Sequence, residues 1–311
     1  MVAKMYFHQS YHQMKTIFIT GATSGIGLIA ACELASRGNK ILASARNSEK
    51  GNELLAHYRN NYPNGLGIIK IILCDLSSFQ SIAKACNQVR IENKCIDILI
   101  NNAGVWNFSY RESQNKIEET LQVNVLAPLL INYLLLDLLS KSNQAKSIFA
   151  ASALHQGHVD FSNLENKVRF SGFNAYQQSK LEVILLCRLL SKKLAILNIG
   201  VYCEHPGLVN TKLGRDANWF SNLFFRVMGL SPMNGAKPLN YLADEDKQKL
   251  ISGEYYYKKE IKKTTRQSYD MVVAQKLLDK LETYLKDYIS DPSLIFQKET
   301  KKHEDAIPFT Y

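Results

Sequence analysis

Apolar residues fall along this chain in short blocks separated by longer stretches of mixed polarity. Runs at 16–20, 40–44, 68–73, 96–100, 146–151 and 198–204 are rich in Val, Ile, Leu and Phe and read as strands. Between them lie helical stretches: the alanine-rich Leu28 to Leu34, the window Leu121 to Leu139, and Phe173 to Leu194. Strands alternating with helices imply a parallel sheet covered on both faces, because each parallel strand needs a crossover to return to the same edge. The expected fold class is α/β, a doubly wound and mostly parallel sheet in a single domain over residues 15–290. Residues 1–14 read as an N-terminal extension, Gln275 to Ile289 as a last helix, and 291–311 as a polar C-terminal tail.

Chemistry concentrates where the first strand hands over to the first helix. Thr16 to Thr20 is β-branched and aromatic, and Gly21-Ala22-Thr23-Ser24-Gly25-Ile26-Gly27 follows directly. Glycine at such a turn permits backbone conformations closed to other residues and lets the main chain approach a ligand. The free N–H groups of the helix start attract pyrophosphate. The spacing Gly21-x-x-x-Gly25-x-Gly27 differs from the common G-x-G-x-x-G, and by itself it also suits close packing of helix on sheet.

Tyr176 and Lys180 stand four apart, so on the expected helix their side chains share a face one turn apart. A phenol with a pKa near 10 is a poor proton donor or acceptor at neutral pH, and a nearby ammonium lowers that pKa by stabilising the phenolate. General acid–base catalysis gains when the pKa approaches the working pH. Tyr-x-x-x-Lys alone is common on helix faces. Here its placement, downstream of Ser152 at the end of the Ser147 to Ala151 strand, gives it weight.

Taken together these residues resemble the short-chain dehydrogenase/reductase family, over roughly residues 15–260. The resemblance implies a Rossmann-like fold and a nicotinamide dinucleotide cofactor. Gly21, Ser24, Gly25, Ile26 and Gly27 match the family's glycine turn, and Asp75-Leu76 its adenine-contacting pair. Asn101-Asn102-Ala103-Gly104 resembles its N-N-A-G signature, and Asn124 the asparagine that anchors a helix and a proton-relay water. Pro206-Gly207-Leu208-Val209-Asn210-Thr211 resembles the segment that grips the nicotinamide carboxamide, with Pro206, Gly207, Val209 and Thr211 as its contacts. The expected catalytic set is Asn124, Ser152, Tyr176 and Lys180. In it Tyr176 exchanges the substrate oxygen's proton, Lys180 tunes Tyr176 and holds the nicotinamide ribose, and Ser152 orients the oxygen. Ala151 replaces the first serine of the usual pair, and the long interval from Ser152 to Tyr176 resembles the retinol-dehydrogenase and WW-domain-oxidoreductase branch.

Cofactor preference is read after the second strand, where a carboxylate would bond the ribose hydroxyls of NAD. Ala45 and Arg46 stand there instead. With no carboxylate to repel a 2′-phosphate and a guanidinium to fork onto it, NADP(H) is the expected cofactor, with NAD(H) as the second choice. His155 and His158 flank Ser152, but no G-x-S-x-G elbow surrounds it, so a hydrolase reading falls away.

Composition narrows the class further. With 311 residues and 46% hydrophobic content the chain can bury a large core. Its six cysteines lack C-x-x-C spacing, so neither a zinc site nor a disulfide framework is expected, and the N-terminus lacks a secretory apolar core. A reducing, cytoplasmic setting follows as the expectation. The formal charge of +10, with Lys258 to Lys263 and Lys301-Lys302, shows no aromatic interleaving and reads as solvated surface, not as a nucleic-acid platform. Gln122, Asn124, Pro128, Asn132 and Asp137 interrupt the Leu121–Leu139 window, which therefore reads as a buried helix and not as a membrane span. With the first strand starting near residue 16, no anchor is expected before it, and any membrane association is expected to be peripheral.

The segment Lys212 to Ala236 holds Trp219, Phe220, Leu223, Phe224, Phe225, Val227, Met228 and Leu230. It reads as a lid over a lipophilic substrate, a helix packed on the core, or a patch resting on a membrane. Retinoid, steroid or long-chain alcohols and carbonyls are the implied substrates. The resemblance also implies a homodimer through the helices of Leu121–Leu139 and Leu181–Leu190, although those leucines also suit the interior. A catalytically quiet NADP(H)-binding sensor or scaffold is the competing reading.

Overall fold

The computed structural model describes residues 14–207 and 231–289. Its strands are β1 (Thr16–Ile19), β2 (Lys40–Ala45), β3 (Ile68–Leu73), β4 (Ile98–Asn101), β5 (Lys146–Ala150), β6 (Gly200–His205), β7 (Tyr255–Tyr257) and β8 (Glu260–Ile261). They form one sheet in the order β3-β2-β1-β4-β5-β6-β7-β8. Every pairing is parallel except β7 with β8. The fold is therefore the expected mostly parallel, Rossmann-like sheet. Strand order reverses between β1 and β4, and at such a switch point the connecting loops diverge and leave a crevice at the carboxyl ends of the strands.

Alternation along the strands builds two cores. Phe18 and Leu99 face one side of the sheet, while Ile17, Ile19, Ile98 and Ile100 face the other. The first side is covered by α3 (Phe79–Glu92), α7 (Gly172–Lys193) and α9 (Met271–Leu285), together with the helical rod from 119 to 139. The second is covered by α1 (Gly25–Ser36) and α8 (Pro232–Asp244), with α2 (Ser48–Asn61) at its edge. Lys146, fully buried at the start of β5, donates to the carbonyl oxygens of Leu242, Ala243 and Glu245 at 2.6, 2.8 and 2.7 Å. Those carbonyls close the C-terminal end of α8, where helix acceptors are otherwise unpaired.

The structure changes three sequence expectations. The window expected as one buried helix is broken into α4 (Glu119–Leu121), a π-helical turn (Gln122–Leu126), α5 (Ala127–Leu134) and α6 (Leu136–Leu139). No described helix is long and apolar enough to cross a membrane. The leucines expected at a dimer interface are spent inside the chain: Leu126, Leu130, Leu139, Leu181 and Leu185 are all 0% exposed. Finally, β7 and β8 extend the sheet, and the lysine-rich run supplies their turn. Lys258 adopts φ 59° there, and its ammonium lies 5.5 Å from the centre of the Tyr257 ring.

Two buried acids lie between α4 and α7. Glu118 caps α4 by accepting from the N–H groups of Thr120 and Leu121, both at 2.9 Å. On α7, Glu182 accepts from Gln178 Nε2 at 3.0 Å through one oxygen, and its other oxygen has no partner. Burial pushes the Glu182 carboxyl up to about 8 from 4.5, and Glu118 adds repulsion. Between those two values the unfolded chain has lost this proton and the folded one has kept it, so this contribution to stability is full below pH 4.5 and falls as pH rises toward 8. Glu182→Gln is therefore expected to stabilise the protein at pH 8 by roughly 1–3 kcal/mol, with the gain fading by pH 5. Thermal melts of both forms at the two pH values check this, and an equal difference at both would contradict it.

Candidate active site

The glycine turn closes as a strand-to-helix junction at the switch point. Gly21 has φ +67°, and a side chain on it would come within 2.8 Å of Ala103 Cα. A Cβ on Gly27 would lie closer than 3.0 Å to Gly21 O and Asn102 Nδ2. Asn102 and Ala103 belong to the loop after β4. Asn102 Nδ2 donates to Thr20 O at 3.0 Å and to Gly21 O at 3.3 Å, while Thr20 Oγ1 accepts from the N–H groups of Asn102 and Ala103, both at 3.1 Å. Thr20 and Asn102 thus lock the two loops that flank the crevice.

That crevice is a cleft of about 570 Å³ lined by Gly21, Ser24, Ile26, Gly27, Arg46, Asp75, Leu76, Asn102, Ala103 and Gly104, all expected from sequence. Gly25 opens α1 beside it. The cleft fits a dinucleotide on its own terms. Ser24 is the N-cap of α1 in extended conformation, its side chain caps nothing, and the first turn carries no acidic residue. The helix start is therefore free to receive an anion on its N–H groups. At the far end, Asp75 accepts from Ser77 N at 3.0 Å and from Gln114 Nε2 at 3.0 Å. Arg46 is only loosely held, with its Nε 4.0 Å from Asp75 Oδ1 and its side chain 66% exposed. Thr23, Ser44, Asn47, Lys50 and Cys74 also line the cleft and were missed, because no spacing pattern marks them.

Catalytic candidates converge at the opposite end. Asn124 lies in the π-helical turn, an irregularity often found at functional sites. Its Oδ1 accepts from Val105 N at 2.8 Å, and its Nδ2 donates to Val105 O and Ser179 Oγ, both at 3.0 Å. The amide thus ties the loop after β4 to α7. Lys180 Nζ donates to Ala150 O at 2.8 Å and sits 5.6 Å from the Tyr176 ring centre. A Cβ on Gly104 would lie 3.5 Å from that ammonium and 3.4 Å from Asn124 Oδ1, so all three meet at the mouth of the cleft. The Ser152 hydroxyl lies beside the Tyr176 hydroxyl and favours its ionised form, and its Oγ accepts from Leu154 N at 3.1 Å.

The electrostatics differ from the sequence expectation. Burial pushes the Tyr176 phenol up to about 12, and the neighbouring Ser152 hydroxyl is what pulls against it. Lys180 does not lower it, because its ammonium is directed to the Ala150 carbonyl and is itself brought down by burial to about 8. Trp106, which sequence reasoning passed over, stacks on the Tyr176 ring at 4.7 Å and 11°, and also on Phe108 at 5.5 Å. That aromatic packing is one source of the dry surroundings that keep the phenol protonated. Pro206 and Gly207 follow β6, with Gly207 N donating to His205 Nδ1 at 3.4 Å. Val209, Thr211 and the aromatic residues of 212–230 lie outside the described residues.

A nucleotide-sized cleft at the sheet's switch point, with a serine, a tyrosine and a lysine at one end, defines a dinucleotide-dependent oxidoreductase. Residues 15–220 match the short chain dehydrogenase family, and the chain belongs to it. It is thus an NAD(P)-dependent enzyme of alcohol and carbonyl groups. Retinol dehydrogenase 14 of Mus musculus is 31% identical over 280 residues, spanning 85% of this chain and 84% of that protein. Retinol dehydrogenase 12 of Homo sapiens is 33% identical over 245 residues, spanning 78% and 77%. Among solved structures, NADPH-bound carbonyl reductase from chicken fatty liver shares the fold at a TM-score of 0.59 and 22% identity, over 80% of this chain and 98% of that one. An uncharacterised protein from Mycobacterium paratuberculosis superposes at 0.69 with 23% identity, over 88% and 93%.

Proposed function

We propose that the protein is an NADP(H)-dependent oxidoreductase that interconverts an alcohol and a carbonyl on a lipophilic substrate of retinoid, steroid or long-chain type. The observation that supports this most is the Ser152 hydroxyl beside a buried Tyr176 phenol, next to the glycine-lined cleft, whose wall includes the Trp106 that stacks on that phenol. Gly21, Ser24, Gly25, Ile26 and Gly27 would carry the pyrophosphate, Asp75 and Leu76 the adenine, and Arg46 the 2′-phosphate. Asn102, Ala103 and Gly104 would line the path between them, and Pro206, Gly207, Val209 and Thr211 would hold the carboxamide. When bound, the nicotinamide supplies or receives the hydride. Ser152 orients the substrate oxygen, and Tyr176 exchanges its proton. Asn124 fixes the loop that carries Gly104, and Lys180 holds the nicotinamide ribose.

Depletion of NADPH against retinal, steroid ketones and long-chain aldehydes tests this reading. Turnover is expected with at least one of them, and NADPH binding without oxidation of any would favour a catalytically quiet sensor. NADPH is expected to exceed NADH by at least about tenfold in kcat/KM, and Arg46→Ala to narrow that ratio. A preference for NADH would overturn the cofactor assignment. The proposal extends to a cytoplasmic homodimer with peripheral contact to an intracellular membrane. Sedimentation with and without lipid vesicles reads both properties.

A further inference from the structure

Among the described residues, Glu204 is the only carboxyl group whose two oxygens are both buried without a hydrogen-bond partner. It is 0% exposed on β6. Leaving a carboxyl group in that state is costly unless a proton or a nearby cation compensates it. In the sheet Glu204 stands opposite Ala150 of β5, and Ala151 N donates to Glu204 O at 2.7 Å. Ala150 is also the residue whose carbonyl oxygen anchors Lys180 Nζ at 2.8 Å. The buried acid and the buried amine are therefore brought to the same pair of strands, and no motif marks Glu204 for this position.

We infer that Glu204 is a positioning residue for the proposed reaction, which favours the charged form of Lys180 from the neighbouring strand; this rests on the function proposed above. An ammonium has three donors, and one of them is committed to Ala150. With a carboxyl group on β6 as counter-charge, the amine keeps its proton and has donors left for a ribose at the cleft mouth. The electrostatics run the same way. Burial lowers Lys180 to about 8 and Glu204 opposes that fall, while burial raises Glu204 to about 8 and Lys180 opposes that rise. The other titratable groups packed around the pair are Tyr176 on α7, His155 after β5, Cys203 and His205 on β6, and Tyr255 and Tyr257 on β7. None of them is a carboxylate, and His205 is itself pushed down to about 4 by burial, by His155 and by Lys180. Among these groups, only the ionised form of Glu204 can supply the negative charge that sustains the lysine.

Lys180 can be titrated directly by NMR of the full chain carrying 13Cε-labelled lysine, with its signal assigned by its loss in Lys180→Gln. In Glu204→Gln the Lys180 midpoint is expected to fall by about one pH unit or more. Glu204→Asp, which keeps the charge but withdraws it by one methylene, is expected to give a smaller fall in the same direction. Should Glu204→Gln fail to fold, Glu204→Asp alone decides. The alkaline limb of kcat/KM with NADPH and retinal is expected to move down with the midpoint. An unchanged Lys180 midpoint in a folded variant would overturn the inference. If the midpoint moves while wild type and variants all lack turnover, the coupling stands and the proposed function is what fails.

Discussion

Replacing Tyr176 with Phe is expected to lower turnover by about 100- to 10,000-fold while leaving NADPH affinity and the fold nearly unchanged. The substitution removes only the hydroxyl. The ring keeps its stacked contact with Trp106 at 4.7 Å, and the helix loses no backbone bond. What disappears is the group proposed to exchange a proton with the substrate oxygen, together with its interaction with the Ser152 hydroxyl. Ser152 Oγ retains Leu154 N as a partner at 3.1 Å, so no buried polar atom is orphaned there, and the cost in stability is expected to stay near 1 kcal/mol. Steady-state rates, NADPH titration by fluorescence and a thermal melt separate the three quantities. Turnover retained in the variant would remove Tyr176 from its assigned role, whereas a loss of NADPH binding would show that the hydroxyl also holds the cofactor.

Gly27→Ala is expected to weaken NADPH binding by about 100-fold or more and to destabilise the fold by roughly 1–3 kcal/mol. The added methyl group would meet Gly21 O and Asn102 Nδ2 closer than 3.0 Å. Gly21 O is backbone and cannot rotate away. Asn102 is no freer, because its amide already bonds Thr20 O and Gly21 O. Relief of the clash therefore moves the turn itself, and with it the N–H groups that open α1 toward the cleft. Calorimetric titration with NADPH reads the first effect and a melt reads the second. Wild-type affinity in this variant would mean that the turn is not where the pyrophosphate binds.

Much of this was legible in the sequence, and for physical reasons. β1 to β6 are short, apolar and separated by helices, so their parallel order follows from the crossover rule. The glycine turn, Asn102 to Gly104 and Ser152 follow strand ends, which places them on one edge of the sheet, and Tyr176 and Lys180 lie one turn apart on α7 after them. β7 and β8 were illegible because three tyrosines and a lysine turn carry no alternation, and β7 pairs with β6 only once the sheet exists to receive it. The break of the 119–139 rod into a π-turn around Asn124 was equally hidden, since polar interruptions in the run do not specify a change of helix type, and Asn124 is held by bonds to Val105 and Ser179 that are distant in sequence. Glu204 and Trp106 gave no signal for a related reason. Each acquires its importance from a neighbour far away in sequence, Lys180 in one case and Tyr176 in the other.

The pKa of Tyr176 shows the same limit from another side. Spacing alone put an ammonium one turn from the phenol and suggested a lowered value, but spacing is silent about burial. In the folded chain desolvation outweighs every other influence on that hydroxyl.

A crystal structure of the protein grown with NADP+ tests the central claim most directly. The expected result is pyrophosphate on the Gly21–Gly27 turn, the 2′-phosphate beside Arg46, and the nicotinamide ring within van der Waals reach of the Tyr176 hydroxyl, with its ribose on Lys180. A nucleotide bound elsewhere, or one whose nicotinamide lies away from Ser152, Tyr176 and Lys180, would contradict it.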